Sequence, residues 1–255
     1  MVRVSARLVL AALSLVLFSV SGVRGEGSPF SNVQVTFGAG WGQADQDDLN
    51  DKYIDDFARP AGLLDDQLSN RASFYGELVY TLPPKHQLLL GLSYTGGNTD
   101  DHRTALITDE LQQVVGTMTV SNELSVSAII PHVRFKYFLS RGTWSPFVSL
   151  GAAYAFGKVN LEQEVVVDSS QTTLWSQEDE YTGRGFGWLV TMGVQRSLTG
   201  PVSLGAEGGY RQIVTSDLED DAGAVWRFDG ARPAQAVRLD FSGWYLLGTV
   251  TVDIL

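Results

Sequence analysis

The residues best suited to electrostatic chemistry lie in the segment IIPHVRFKYFLS, residues 129–140. His132, Arg134 and Lys136 occupy alternate positions there, with apolar residues between them. Successive side chains of a β-strand point to opposite faces, so this spacing places the three basic side chains on one face. Such a row forms either a binding face for anions or one half of an ion-pair cluster. The opposite face is apolar, so the elements around this strand decide between the two.

The other residues that could catalyse a reaction or bind a metal do not form a recognisable catalytic or metal-binding motif. The Asp-Asp-His run at residues 100–102 has the groups to activate water, but adjacent residues in a loop commonly only solvate it. Asp45 and Asp47 begin a calcium-like spacing that Leu49 interrupts. The chain contains no cysteine. The sequence therefore predicts no enzymatic activity, no metal site and no cofactor.

The first residues have the pattern of a secretory signal peptide. Arg3 and Arg7 precede the apolar run LVLAALSLVLFSV, and small residues follow it. We expect residues 1–25 to be removed by cleavage after Gly22 or Gly25, because an uncleaved anchor helix would need about 18 apolar residues. The formal charge of −11 becomes −13 when Arg3 and Arg7 leave, or −14 when cleavage after Gly25 also removes Arg24, which argues against nucleic acid as a partner.

The rest of the chain shows no long helical periodicity but repeated alternation with a period of two residues, which predicts β-strands. Turn residues separate the runs. The eight runs are Asn32 to Gly42, Ala72 to Leu82, His86 to Gly96, Ser125 to Leu139, Trp144 to Lys158, Arg184 to Ser197, Val202 to Val214 and Phe241 to Ile254.

The two faces of these runs differ in size rather than simply in polarity. In the fifth run, Trp144 and Leu150 lie on the face of large side chains. Ser149 and Ala153 lie on the opposite, small face, where Phe147 is the exception. Small residues suit the crowded lumen of a narrow barrel, while large apolar residues suit an exterior in contact with lipid. The pattern is the reverse of that in a soluble barrel.

The links between the runs alternate strictly in length. The short links are PPK, SRGT and LTGP, and the long ones cover about residues 43–71, 97–124, 159–183 and 215–240. Outer-membrane barrels have short periplasmic turns and long extracellular loops, so this alternation indicates the same arrangement. The β-branched segments ELQQVVGTMTVSNEL and LEQEVVVDSSQTTLW could extend the strands beyond the membrane.

Aromatic residues of the outward parity gather near both ends of the runs, as in the girdles of membrane barrels. The row near the long loops contains Trp41, Phe74, Tyr94, Phe156, Phe186, Tyr210 and Trp244, and the row near the short turns contains Tyr80, Tyr137 and Trp144.

Together these features resemble the small eight-stranded outer-membrane barrels of the OmpA transmembrane-domain, OmpX and OmpW type, across residues 26–255. The resemblance implies an eight-stranded antiparallel up-and-down transmembrane β-barrel in the bacterial outer membrane. It also implies a monomer that contacts membrane lipid and lipopolysaccharide and meets surface partners through its long acidic loops.

The inward parity places Glu77 and Glu207 in the lumen with His132, Arg134 and Lys136. Glu77, Arg134 and Glu207 each lie five residues above the nearest short turn, so we expect paired charges at one level. The cluster is either a gate or a polar core that fills the lumen, and eight strands favour the second. We expect a structural or surface-interaction role. The alternatives are a small porin or hydrophobic-ligand channel, or a lipid A-modifying or proteolytic barrel enzyme.

Pro131 fits this arrangement less well than its neighbours. Proline removes a hydrogen bond from a strand ladder, and a closed barrel has no free edge on which to place it. We therefore expect a local bulge there.

Overall fold

The computed structural model describes residues 33–43, 46, 48–58, 68, 70–82, 85–108, 113–167, 170, 172–198, 200–228 and 235–254. The predicted signal peptide, residues 1–25, lies outside the described residues.

Eight long strands form a closed antiparallel ring, as the sequence predicted. Each strand pairs with the next along the chain, and the last pairs with the first through contacts such as Phe37 opposite Val250. The strands are β1 (Val33–Gln43), β2 (Asn70–Leu82), β3 (His86–Thr108), β4 (Val114–Phe138), β5 (Trp144–Val167), β6 (Thr172–Ser197), β7 (Val202–Asp217) and β8 (Gly243–Ile254).

The interior and exterior of the ring follow the predicted parity. On β6, Phe186 and Met192 are 72% and 65% exposed on the outer face, whereas Leu189 and Thr191 are buried on the inner face. The alternation of side-chain size in the sequence predicts the two faces correctly, because every second residue of each strand must point into the lumen of a closed ring. The large apolar side chains therefore cover the exterior.

Four strands continue well beyond their predicted ends. Strands β3 to β6 contain 23, 25, 24 and 26 residues, so most of the predicted loops 97–124 and 159–183 is strand. Cross-strand pairs of β-branched residues, such as Val120 with Val165, continue the ladder in that region. We call this four-stranded extension the surface sheet. It comprises residues 97–108, 114–125, 159–167 and 172–182.

The first and last long loops contain structure that periodicity did not predict. A π-helix spans Asp48–Ala58, and a short strand at Arg238–Asp240 pairs with β7. In the last loop, Arg227–Phe228 and Gln235–Ala236 form a separate two-stranded ladder. Among the described residues, no helix is long and apolar enough to cross a membrane.

These two loops fold into the barrel at the end that carries the long loops, and there they form an apolar plug. Its loop residues are Leu49, Tyr53, Ile54, Ala58, Leu68, Leu218, Val237, Leu239 and Phe241, and they pack on apolar side chains of β4 to β7. The side chain of Asn50 stabilises the plug by bonding both the N–H and the carbonyl of Leu68. The first of the long acidic loops therefore buries apolar residues within the barrel.

The predicted bulge at Pro131 is absent. Pro131 lies opposite Leu92 of β3, and the register with β5 is the same before and after it, from Ile129 with Phe156 to His132 with Ala153. Only the pairing of Ile130 and Pro131 with β5 is interrupted. Because proline lacks an N–H, the strand loses a ladder bond there without inserting a residue.

The outer face of the surface sheet carries four carboxylates in one row. Asp100 lies opposite Glu123, Glu123 opposite Glu162, and Glu162 opposite Glu178. Like charges directly opposite each other on neighbouring strands destabilise a sheet. The row therefore opposes formation of the surface sheet.

Replacing Glu162 with glutamine should stabilise the surface sheet, because it removes two like-charge contacts. We expect about 0.5 kcal/mol of added local stability, seen as slower hydrogen exchange of the surface-sheet amides of β4 (114–125) and β5 (159–167). Glu164→Gln is the matched control, since Glu164 lies opposite Ser121 and Ser176. Equal slowing of hydrogen exchange in both variants would show that repulsion between the carboxylates of the row does not weaken the surface sheet.

Candidate functional site

The centre of the lumen is a buried ion-pair cluster around Arg134. Its Nε and one Nη donate to the two carboxylate oxygens of Glu77, both at 2.7 Å. The other Nη donates to Glu207 at 3.0 Å and to Thr191 Oγ1 at 3.3 Å. Each of the three charged residues is at most 3% exposed. The guanidinium thus links β4 to β2 and β7 across the lumen. We call Glu77, Arg134 and Glu207 the charged layer.

His132 joins the charged layer from the same strand as Arg134. Its Nε2 donates to Glu77 Oε1 at 2.8 Å, so one carboxylate accepts hydrogen bonds from two basic side chains. Buried charges are stable only when they are paired and hydrogen-bonded, and Glu77 meets both conditions. The structure therefore brings together Glu77, His132, Arg134 and Glu207.

Glycine on the adjacent strands makes room for these large side chains. Gly91 lies between Glu77 and His132, and a side chain there would overlap both. Gly151 lies opposite Arg134, where a Cβ would approach Arg134 Cγ to 2.9 Å. The small residues of the inward face are therefore the complement of the charged ones.

Lys136 occupies a separate layer towards the short turns. Its Nζ lies 3.4 Å from Gln195 Oε1 and 3.9 Å from the centre of the Phe147 ring. The residues of the charged layer form no ion pair with it in the part of the chain that the structure describes. Lys136 lies one inward position lower than Arg134, which forms the ion pairs with Glu77 and Glu207. Phe147, the exception to the size pattern, supplies a cation–π contact instead.

Arg211 is a buried lumen residue that sequence reasoning missed. Its Nε donates to the carbonyl of Phe241 at 2.8 Å, and an Nη lies 3.4 Å from Thr95 Oγ1. It therefore ties the last loop, and with it the plug, to the barrel wall. Its inward parity on β7, four residues after Glu207, was the signal that could have identified it.

A cavity of about 50 Å³ adjoins the charged layer on the side of the long loops. Glu77, Arg134, Glu207 and Arg211 contribute to its lining. A water molecule needs about 10–15 Å³ measured in this way, so the cavity has room for a few waters but not for a solute of nutrient size. Below the charged layer, an open polar recess of about 230 Å³ faces the short turns.

Aromatic contacts hold the two loops of the plug together. Tyr53 of the π-helix meets Trp226 of the last loop edge to face at 5.3 Å, and Tyr181 stacks on Trp226 at 4.7 Å. Burial raises the pKa of Tyr53 to about 12, because its phenolate would lose the solvation of water. The spacing of Leu49, Tyr53 and Ile54 was a short helical signal within the acidic sequence.

The Asp-Asp-His run lies on the surface sheet, outside the barrel. His102 Nδ1 lies 2.9 Å from Ser121 Oγ, and its Nε2 lies 3.3 Å from Asp100. Both side chains of the latter pair are more than half exposed. Within the described residues, no three His, Cys, Asp or Glu side chains are grouped to hold a metal ion.

Both predicted aromatic rows lie on the exterior of the ring. Every member except the partly exposed Tyr210 is at least 36% exposed, and Tyr210 contacts the ring of Trp244 at 5.3 Å. Between the rows the exterior is apolar, while the charges lie inside. A closed eight-stranded ring with an apolar exterior and charged residues in the lumen is typical of outer-membrane barrels. The chain has the fold of the small eight-stranded outer-membrane β-barrels.

Similar solved structures include Neisserial surface protein A, NspA, at 16% sequence identity and a TM-score of 0.39, covering 88% of this chain and 97% of that chain. Ail, the attachment invasion locus protein of Yersinia pestis, in complex with the heparin analogue sucrose octasulfate, matches at 9% identity and a TM-score of 0.34, covering 86% and 98%. Ail alone matches at 11% and 0.35, covering 86% and 97%.

No protein-family model and no curated protein matches the chain. The strand pairing and side-chain exposure of the chain itself identify the barrel fold.

Removing Arg134 should destabilise this barrel strongly, because Glu77 and Glu207 would remain buried without a counter-charge. For Arg134→Met we expect a loss of about 3–5 kcal/mol in the free energy of unfolding. Urea titration in micelles, followed by tryptophan fluorescence, measures this loss. Lys136→Met is the matched control, and it should cost much less because it leaves no partner charge unpaired.

A triple variant tests whether the cost is electrostatic. Glu77→Gln and Glu207→Gln added to Arg134→Met remove both orphaned charges, so most of the lost stability should return. A triple variant as unstable as Arg134→Met would attribute the loss to packing instead.

Arg211→Met should loosen the last loop without disturbing the barrel, because it removes a donor to the Phe241 carbonyl. We expect hydrogen exchange of amides 237–242 to accelerate about fivefold, equivalent to one ordinary hydrogen bond. The β8 amides from residue 244 onward should be unchanged. Uniform acceleration around the whole ring would contradict a local role for Arg211.

Proposed function

We propose that this chain is a bacterial outer-membrane barrel with a closed lumen, whose work takes place at the cell surface. The observation that carries the proposal is the contact of Arg134 with both Glu77 and Glu207. These pairs join three strands across the lumen, where eight strands leave space for side chains only. The apolar plug above them adds a second closure.

The dimensions of the apolar exterior support placement in a membrane. On β6 the outward residues between Arg184 and Arg196 carry no charge; they are Phe186, Trp188, Val190, Met192 and Val194. These five positions span roughly 26 Å along the strand, or roughly 20 Å along the barrel axis at a tilt near 40°. Including the flanking spaces, this approaches the apolar band of about 25 Å in outer-membrane barrels.

The surface sheet is the part of the chain suited to interactions outside the membrane. It presents the row of Asp100, Glu123, Glu162 and Glu178 on its outer face, in a chain whose formal charge is −11. A surface of one sign repels partners of the same sign and attracts basic ones. We propose a structural or surface-interaction role through this sheet, with basic partners favoured.

Planar-bilayer recording tests the closed lumen. The refolded wild-type protein should show no reproducible conductance steps, because the charged layer and the plug both close the lumen. Reproducible steps that disappear in Glu77→Gln would replace the proposal with a small porin.

Membrane placement has its own measurement. The full chain, expressed in a bacterial host with an outer membrane, should be recovered in the outer-membrane fraction. It should also migrate differently on gels before and after heating. Recovery as a soluble periplasmic monomer would refute membrane placement.

A further inference from the structure

The lumen opens at the short-turn rim into the polar recess of about 230 Å³. Side chains from all eight strands line this recess, and most of them are glutamine, serine or threonine. The charged layer closes the lumen above it, so the recess is a dead end rather than a passage. One water molecule needs about 10–15 Å³, so the recess has room for a group of roughly amino-acid size.

One side of the recess satisfies its own hydrogen bonds. Gln87 Nε2 donates to Gln34 Oε1 at 2.9 Å, and Gln34 Nε2 donates to Asp253 Oδ1 at 2.6 Å. These bonds join β3, β1 and β8 and supply a donor to Asp253, the one carboxylate among the described residues of the lining. This side therefore leaves few groups for a ligand to complete.

The opposite side, formed by β4 and the turn after it, carries two cations on one aromatic ring. Lys136 Nζ lies 5.2 Å from the centre of the Phe138 ring, and the Arg141 guanidinium lies 5.4 Å from it. Phe138 and Arg141 line the recess directly, and Lys136 adjoins it through Gln195. Within the described residues, neither cation takes part in an ion pair.

The ammonium group of Lys136 has hydrogen-bonding capacity that the barrel does not use. Lys136 is only 5% exposed, and an ammonium group carries three N–H donors. Its acceptor in the described part of the chain is Gln195 Oε1, at the long distance of 3.4 Å. A buried charge is stable when it is both paired and hydrogen-bonded, and a carboxylate is the partner that Lys136 lacks.

The turn after β4 places Arg141 at the edge of the recess. Ser145 Oγ accepts a hydrogen bond from the N–H of Gly142 at 3.3 Å and donates one to the carbonyl of Gly142 at 3.1 Å. These two bonds fix the backbone next to Arg141. Contact with the Phe138 ring orients the guanidinium, whose paired N–H donors remain available for a planar acceptor.

We propose that this recess binds one carboxylate group, carried by a small polar solute or by the end of a peptide. Arg141 presents parallel N–H donors that match the two carboxylate oxygens, and Lys136 supplies a second positive charge from within the lumen. The amide of Gln195 gives its oxygen to Lys136, so its Nε2 is a further donor for the ligand. The site lies outside the proposed surface role, and in the proposed orientation it faces the periplasm.

The charge of the recess favours a carboxylate over a phosphate. Lys136 and Arg141 together with Asp253 leave one positive charge, which a single carboxylate balances. A phosphate dianion would exceed that charge and would meet repulsion from Asp253 across the recess.

The same rim provides a matched control on the outside of the ring. Arg196 lies over the Trp144 ring at 5.0 Å, so it is also an arginine in contact with an aromatic residue near the short turns. Its outward parity on β6 keeps it away from the lumen. Arg196→Gln therefore removes the same charge at the same rim without touching the recess.

Binding is tested by NMR titration of the refolded barrel in zwitterionic micelles. The probes are N-acetylglycine, N-acetyltrialanine, the C-terminal amides of both, and inorganic phosphate. The two carboxylates should shift the signals of the Arg141 Nε–H and the Gln195 side-chain amide, whereas the two neutral amides should not. Tighter binding of N-acetyltrialanine would identify a peptide end as the preferred source of the carboxylate, and equal binding of both a small solute.

The variants measure the contribution of each cation. The Kd for the carboxylate probes should rise about tenfold in Arg141→Gln and severalfold in Lys136→Met, as expected for lost charge-assisted hydrogen bonds. In Arg196→Gln it should stay within about twofold. The gel shift on heating establishes that each variant is folded.

Three results would overturn the inference. They are equal losses in Arg141→Gln and Arg196→Gln, binding of the neutral amides as tight as that of the carboxylates, and a preference for phosphate. Absence of carboxylate binding by a barrel that inserts into membranes refutes this inference alone, whereas failure to insert refutes the proposed function.

Discussion

Closure of eight strands into one ring is the constraint on which the rest of this structure depends. An eight-stranded ring leaves a lumen that side chains alone can fill, so each inward residue competes for space with those on neighbouring strands. The charged residues satisfy this constraint by facing glycine, as Glu77 faces Gly91 and Arg134 faces Gly151. Large polar groups and glycines are thus two parts of one packing solution.

The interior is arranged in layers that neutralise charge in different ways. Arg134 is paired with carboxylates, whereas Lys136 lies against the ring of Phe147 and the amide of Gln195. Above the charged layer, the Nε–H of Arg211 donates a hydrogen bond to the carbonyl of Phe241 and so connects the lumen to the plug. A single row of alternating basic residues therefore does not behave as one unit, because neighbours in the row are separated by about 6–7 Å along the strand.

The outer part of the molecule follows a different balance of forces. The strands β3 to β6 continue beyond the ring even though they place four carboxylates side by side. Backbone pairing and β-branched contacts such as Val120 with Val165 must outweigh that repulsion. The same outer face changes sign close to the apolar band, where Arg184 and Lys158 lie.

Alternation of residue size along the sequence determined the strands, their inward and outward faces and the closed barrel, because the direction of a side chain in a strand is a local property. Counting residues from the short turns also placed Glu77, Arg134 and Glu207 at one level, since tight turns set the register of adjacent strands. Only the tertiary structure decided that Lys136 has an aromatic neighbour, that Arg211 holds Phe241, and that the two long loops form a plug. These contacts join residues far apart in sequence, and they depend on the shape of the closed lumen rather than on any local pattern.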